Sequence, residues 1–178
     1  MTFREVLKAF REESATEKEK GTKFERLMKR FLKTDARYAD RLAQVWLWEE
    51  FPARSEFGGK DTGIDLVART DLGAFWAIQC KCYAEEATID KPAVDSFLST
   101  SSKSFLFEGK RAAFENRLWI STTDKWGANA IECLHGQTVP VERLGLGDLD
   151  ASSVDWDALL NDKSGKKAKR EPKTLRAH

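Results

Sequence analysis

Three residues whose types suit phosphate chemistry, Asp65, Gln79 and Lys81, stand within residues 58–83, GGKDTGIDLVARTDLGAFWAIQCKCY. Gly58, Gly59 and Gly63, with Asp61 among them, supply a turn. A strand, a second turn at Asp71-Leu72-Gly73, and a second strand follow. Period two places Asp65 on one face and Ile64 and Leu66 on the other. In AFWAIQCKCY it sets Trp76, Ile78, Cys80 and Cys82 against Ala77, Gln79, Lys81 and Tyr83, and a half-buried strand would hide the first set. Paired as a hairpin, the two strands bring Asp65 beside Gln79 and Lys81. A carboxylate and a neutral carbonyl oxygen are the donors magnesium takes, in octahedral geometry with several waters retained. An ammonium beside them orients a water or faces the charge that grows on a phosphate under attack. The same residues also fit a strand-end turn and the solvated face of an edge strand; alternation alone does not choose between the two.

The flanking elements must position this hairpin. Phe3, Val6, Leu7 and Phe10 repeat at helical spacing over residues 2–13. After a polar stretch, Phe24, Leu27, Met28, Phe31 and Leu32 predict a second amphipathic helix, with Thr22 and Glu25 as a T-x-x-E capping box at its start. Lys20, Lys23 and Arg26 near that start fit either phosphate contacts or a solvated face. Residues 35–43 read as a short helix, and QVWLWEEF (44–51) as a strand ended by Pro52. Arg54 and Lys60 flank the glycine turn, as backbone contacts for DNA or as solvated turn residues. Pro92 suits the first turn of a helix near 91–103, a crossover that leads to a parallel strand at Leu118-Trp119-Ile120. Ser121, Thr122 and Thr123 offer hydroxyls for a phosphate, or Thr123 or Asp124 caps a helix at 125–134. Residues 138–143 form a last strand that Pro140 assigns to an edge or bulge. Val154 to Leu160 close the core as a short helix.

Composition sets the outer limits. The chain has 178 residues, 41% hydrophobic and 33% charged, enough for one domain with a sizeable core. Net charge is +1, so any DNA contact comes from local patches. The absence of a long apolar run or leader predicts a cytoplasmic protein with no membrane partner. Three cysteines make no disulfide framework. A Cys3His zinc set from Cys80, Cys82, Cys133 and His135 has one-residue gaps that suit zinc poorly, and buried packing is the reading preferred. No G-x-S-x-G marks a serine nucleophile and no P-loop marks a nucleotide site. Residues 163–178 carry seven Lys or Arg against one Glu, the composition of a basic linker.

GIDLVA followed by WAIQCKCY resembles the PD-(D/E)XK nucleases in their D…QxK form, and most of all the Mrr-like branch. Within it, the chain looks most like the N-terminal nuclease domain of Type ISP restriction-modification enzymes. The resemblance implies an α/β, restriction-endonuclease-like mixed sheet flanked by helices on both faces, spanning residues 1–162, with 163–178 leading toward a helicase domain. EPKTLRAH resembles such a lead-in, which makes the chain an N-terminal piece of a longer enzyme. It implies a Mg2+-dependent DNA endonuclease, Mn2+ being an alternative ion, that nicks one strand at a time. Asp65, Gln79 and the carbonyl of Cys80 would hold the metal, with Glu25 in GTKFERL at the position of the family's first-helix glutamate, where capping explains it equally well. Lys81 would position the attacking water, and Lys23, Arg54 and Lys60 would touch double-stranded DNA. Helicase, methyltransferase and target-recognition domains would lie in the full-length chain. Glutamine in place of the usual second acid removes a charge from the metal site and should weaken metal affinity. A stand-alone nuclease of modified or branched DNA, and an inactive DNA-docking module, are the alternatives.

Overall fold

The computed structural model describes residues 1–58 and 62–161. Helix α1 (Phe3–Glu13) opens on a capping box between Thr2 and Glu5 and buries Phe3, Val6, Leu7 and Phe10. Helix α2 (Glu17–Thr34) starts at Thr16, whose hydroxyl accepts from the Glu19 N–H at 3.0 Å. The expected start at Thr22 is therefore wrong: Thr22 and Glu25 lie inside the helix, and the polar residues before them form its first turn. The buried stripe from Phe24 to Leu32 carries the helix through Gly21, which alone would weaken it by about 1 kcal/mol against alanine.

Helix α3 (Ala36–Ala39) leads into strand β1 (Leu42–Leu47), which ends earlier than read, in a 3-10 turn at Trp48–Glu50. Then come β2 (Leu66–Thr70), β3 (Phe75–Lys81), β4 (Thr88–Ile89) and α4 (Lys91–Ser101), the last capped by Asp90 with proline in its first turn. A hairpin of β5 (Phe105–Phe107) and β6 (Lys110–Ala112), turning at Glu108-Gly109, occupies a segment the sequence left unassigned. Strand β7 (Phe114–Ser121) is followed by β8 (Lys125–Trp126), helix α5 (Ala128–Glu132), β9 (Val141–Leu144), α6 (Leu146–Ala151) and α7 (Trp156–Leu160). The helix expected over 125–134 is thus a two-residue strand and a shorter helix. Its N-cap is Gly127, so neither Thr123 nor Asp124 caps it.

Five strands form the central sheet in the order β1-β2-β3-β7-β9. β1, β2 and β3 pair antiparallel, while β7 and β9 join parallel, the first after the α4 crossover. Pro140 precedes the edge strand β9, where a missing N–H breaks no central ladder. One face packs Leu66, Trp76, Ile78, Cys80, Leu118 and Ile120 against α1, α2 and α7. The other packs Val67, Phe75, Ala77 and Trp119 with α4 and the β5–β6 hairpin. The fold is a mixed sheet with helices on both faces, as the residue pattern led one to expect. β3 is nevertheless central rather than half-buried: Phe75 through Cys80 are all buried, because β7 pairs along its far edge and α4 with the β5–β6 hairpin covers the face expected to meet solvent. Ile64 shares a cluster with Val67 rather than with Leu66, because the regular strand starts only at Leu66. No helix among the described residues is long and apolar enough to cross a membrane.

Candidate active site

Asp65 sits just before β2, tied by its backbone to both neighbours. Its N–H donates to the Ile78 carbonyl and its own carbonyl accepts from the Trp48 N–H, each at 2.9 Å. Leu66 pairs with Ile78 in antiparallel register, which sets Asp65 opposite Gln79. Gly63 makes the bend into this position at φ +74°, with Ser96 Oγ and the Phe97 backbone packed against it.

The carboxylate then collects donors. Its Oδ2 accepts from Gln79 Nε2 at 2.5 Å and from the Cys80 N–H at 2.8 Å. Gln79 is only 3% exposed, so its amide cannot swing away to water. The amide nitrogen is used on Asp65, which leaves the side-chain oxygen for another partner. The Cys80 carbonyl leaves β3 on the same edge as its N–H, beyond the point where β2 begins. The Cys80 side chain itself lies in the apolar cluster, where burial raises its thiol well above the usual range.

Glu25 reaches this cluster from the middle of α2, its carboxyl hydrogen-bonded to that of Asp65. Burial, and then the facing charge of Asp65, push its pKa from 4.5 up to about 8. Burial also raises Asp65, against the opposing pull of the Cys80 N–H and the Lys81 charge. At neutral pH Glu25 therefore keeps its proton and shares it with Asp65 through their hydrogen bond. The capping alternative for Glu25 falls with the correction to the start of α2. Lys81 ends β3, half-buried and close enough for its charge to act on Asp65.

The donors gathered here are two carboxyls, an amide oxygen and a peptide carbonyl. All are hard oxygens, and opposed acids that must share a proton are a place where a divalent cation would relieve repulsion. The site fits magnesium or manganese by donor chemistry. Among the described residues no group of three or more His, Cys, Asp or Glu stands ready for a metal. Cys80 and Cys82 pack on one face of the sheet and Cys133 on the other, so these thiols do not converge.

The other residues singled out by sequence lie apart from this centre or are engaged. Lys23 pairs with Glu19 at 3.4 Å, and Arg26 with Glu49 at 3.3 Å. Arg54 is exposed and donates to the Glu49 carbonyl at 2.6 Å. Lys60 and residues 163–178 fall outside the described residues. Ser121, Thr122 and Thr123 are buried, and their hydroxyls already donate to backbone carbonyls. The sequence reading missed the backbone donors of Trp48 and Cys80 on Asp65, since every residue but proline carries an N–H and nothing local marks these two.

A family model described as restriction endonuclease, of the Mrr catalytic type, matches residues 33–166. Among solved structures, the ATP-dependent Type ISP restriction-modification enzyme LlaBIII bound to DNA is similar at 30% identity and a TM-score of 0.68. That match covers 88% of this chain and 9% of the LlaBIII chain. The MspJI restriction endonuclease in complex with a 27-mer oligonucleotide shares the fold at 19% identity and a TM-score of 0.55, over 93% of this chain and 36% of its own. No match was found among curated proteins. The chain thus spans about a tenth of the LlaBIII polypeptide and about a third of MspJI.

Proposed function

The chain belongs to the restriction endonuclease family, and on that premise we propose that it is a magnesium-dependent DNA endonuclease domain centred on Asp65. The observation that carries this reading is the convergence of Glu25, Asp65 and Gln79, from a helix and two strands, beside Lys81. Asp65, Glu25, the side-chain oxygen of Gln79 and the carbonyl of Cys80 would hold the ion. When bound, magnesium supplies Lewis acidity at the scissile phosphate. Lys81 hydrogen-bonds the attacking water, orients it toward phosphorus, and faces the negative charge that develops there. Glu25 must surrender its proton for the ion to enter, so metal binding and proton release are linked. Gln79 contributes no charge, which lowers the affinity the site can reach.

One such centre per chain cuts one strand at a time. Lys23, Arg54 and Lys60 are the proposed contacts to the backbone of double-stranded DNA, with Lys23 leaving Glu19 to make them. Similarity to a DNA-bound Type ISP enzyme over most of this chain supports its placement as the nuclease of a longer ATP-dependent restriction-modification polypeptide. Motor, methyltransferase and target-recognition functions belong to other parts of that polypeptide.

Supercoiled plasmid incubated with the protein and magnesium or manganese tests the reading. Open circles should form before linear DNA, and Asp65→Ala or Lys81→Ala should abolish them. Nicking that survives both changes would sink the assignment to this centre.

A further inference from the structure

The strand that carries Lys81 needs a second anchor. On its β2 side, the Cys80 N–H is held by the Asp65 carboxylate at 2.8 Å. On its β7 side, regular pairing ends at Lys81 opposite Ser121. The next residue on β7's chain, Thr122, then takes over. Its N–H donates to the Lys81 carbonyl at 3.1 Å. Its hydroxyl accepts from the Tyr83 N–H at 2.7 Å and donates to the Tyr83 carbonyl at 2.5 Å. One buried residue, 0% exposed, thereby grips three backbone groups within three residues of chain. Thr123 continues the grip, its single O–H shared between the carbonyls of Glu85 and Ala87 at 2.9 and 2.7 Å.

We infer that Thr122 is a positioning residue for Lys81, setting where its amine meets the Asp65 centre through a hydroxyl clamp on the backbone that follows it. The inference rests on the nuclease reading above for the use of Lys81, but not for the clamp. The reason is geometric. Lys81 is the last paired residue of β3, and beyond it no ladder bond of the central sheet restrains the chain. Without the Thr122 hydroxyl, two part-buried backbone groups of Tyr83 lose a partner, although Arg11 Nη2 still reaches the Tyr83 carbonyl at 3.1 Å. The strand end then relaxes and carries the lysine with it. Displacements of about 1 Å at a reacting group lower turnover by roughly 100-fold.

The test compares Thr122→Val, which keeps the shape and deletes the hydroxyl, with Thr122→Ser, which restores it. In plasmid nicking, valine should lower kcat by about 10- to 100-fold with KM for DNA within about twofold, and serine should recover most of it. Thr122→Cys, of similar size and a weaker donor, should fall between, and stands in if the valine variant does not fold. The second readout needs no activity: the 13Cε–1H signals of Lys81 in selectively labelled protein should move or broaden in the valine variant and return in the serine variant. Unmoved Lys81 signals, or loss of turnover that serine fails to rescue in a folded protein, would overturn the inference. If the wild type does not nick DNA at all, the nuclease reading fails, while the Lys81 signals still decide whether Thr122 positions that side chain.

Discussion

Replacing Glu25 with glutamine should make the metal-free protein more stable at alkaline pH while removing its response to metal. In the folded chain the Glu25 carboxyl is held near pH 8, against 4.5 when free. Between those values the folded chain keeps a proton that the unfolded chain has released, so stability falls as pH rises across the window and levels off above it. Full ionisation costs at most roughly 5 kcal/mol at about 1.4 kcal/mol per pH unit. Glu25 is only partly buried, and solvent screening brings the expected penalty to about 1–2 kcal/mol. Glutamine carries no proton to lose, and its amide can donate to Asp65 as the protonated acid does. Urea unfolding in EDTA should thus show Glu25→Gln level with wild type at pH 5 and about 1–2 kcal/mol more stable at pH 9. Manganese should raise the melting temperature of the wild type and leave the variant nearly unmoved. An equal difference between the two proteins at both pH values would refute the shared-proton account. Equal manganese stabilisation would remove Glu25 from the set of metal ligands.

Other expectations concern the scaffold. Arg117 is 2% exposed and donates to Ser101, Ser102, Gln137 and the carbonyls of Leu98 and Val139, so Arg117→Met should strand buried acceptors and cost about 3 kcal/mol in urea unfolding. Nicking per folded molecule should stay unchanged. Gly63→Ala forces a side chain at φ +74° within 3.1 Å of Ser96 Oγ, and should cost about 1–2 kcal/mol as well as reduce nicking, because the bend delivers Asp65 two residues later. Trp156 stacks on Phe31 at 5.6 Å and lies against Phe3 at 4.8 Å; Trp156→Ala should cost about 3–5 kcal/mol by thermal or urea melts, with the metal-induced shift retained.

Much of the scaffold was legible because it follows local rules. The stripe from Phe24 to Leu32 recurs at helical spacing, Pro92 marks the first turn of α4, and Gly73 closes the hairpin before β3. Where the reading erred, a local signal had two equal solutions. Thr16 with Glu19 and Thr22 with Glu25 share one spacing, and only the packed helix shows which threonine lies at its end. The alternation in AFWAIQCKCY separated the two faces of β3 correctly. Whether either face met water depended on α4 and the β5–β6 hairpin on one side and the N-terminal helices on the other, which no pattern within β3 reveals.

The sequence alone determined that Gln79 and Lys81 would share one strand and that Asp65 would lie at the entry to the strand paired with it, since a short hairpin leaves little freedom in register. It also set the oxygen character of the site, because side-chain chemistry travels with residue identity. Only the tertiary structure decided that Glu25 enters from mid-helix, that it and Asp65 share a proton, and that Thr122 holds the strand end rather than a phosphate. Those properties arise from distances between segments far apart in the chain and from the burial they create together, and no local pattern of residues encodes either one.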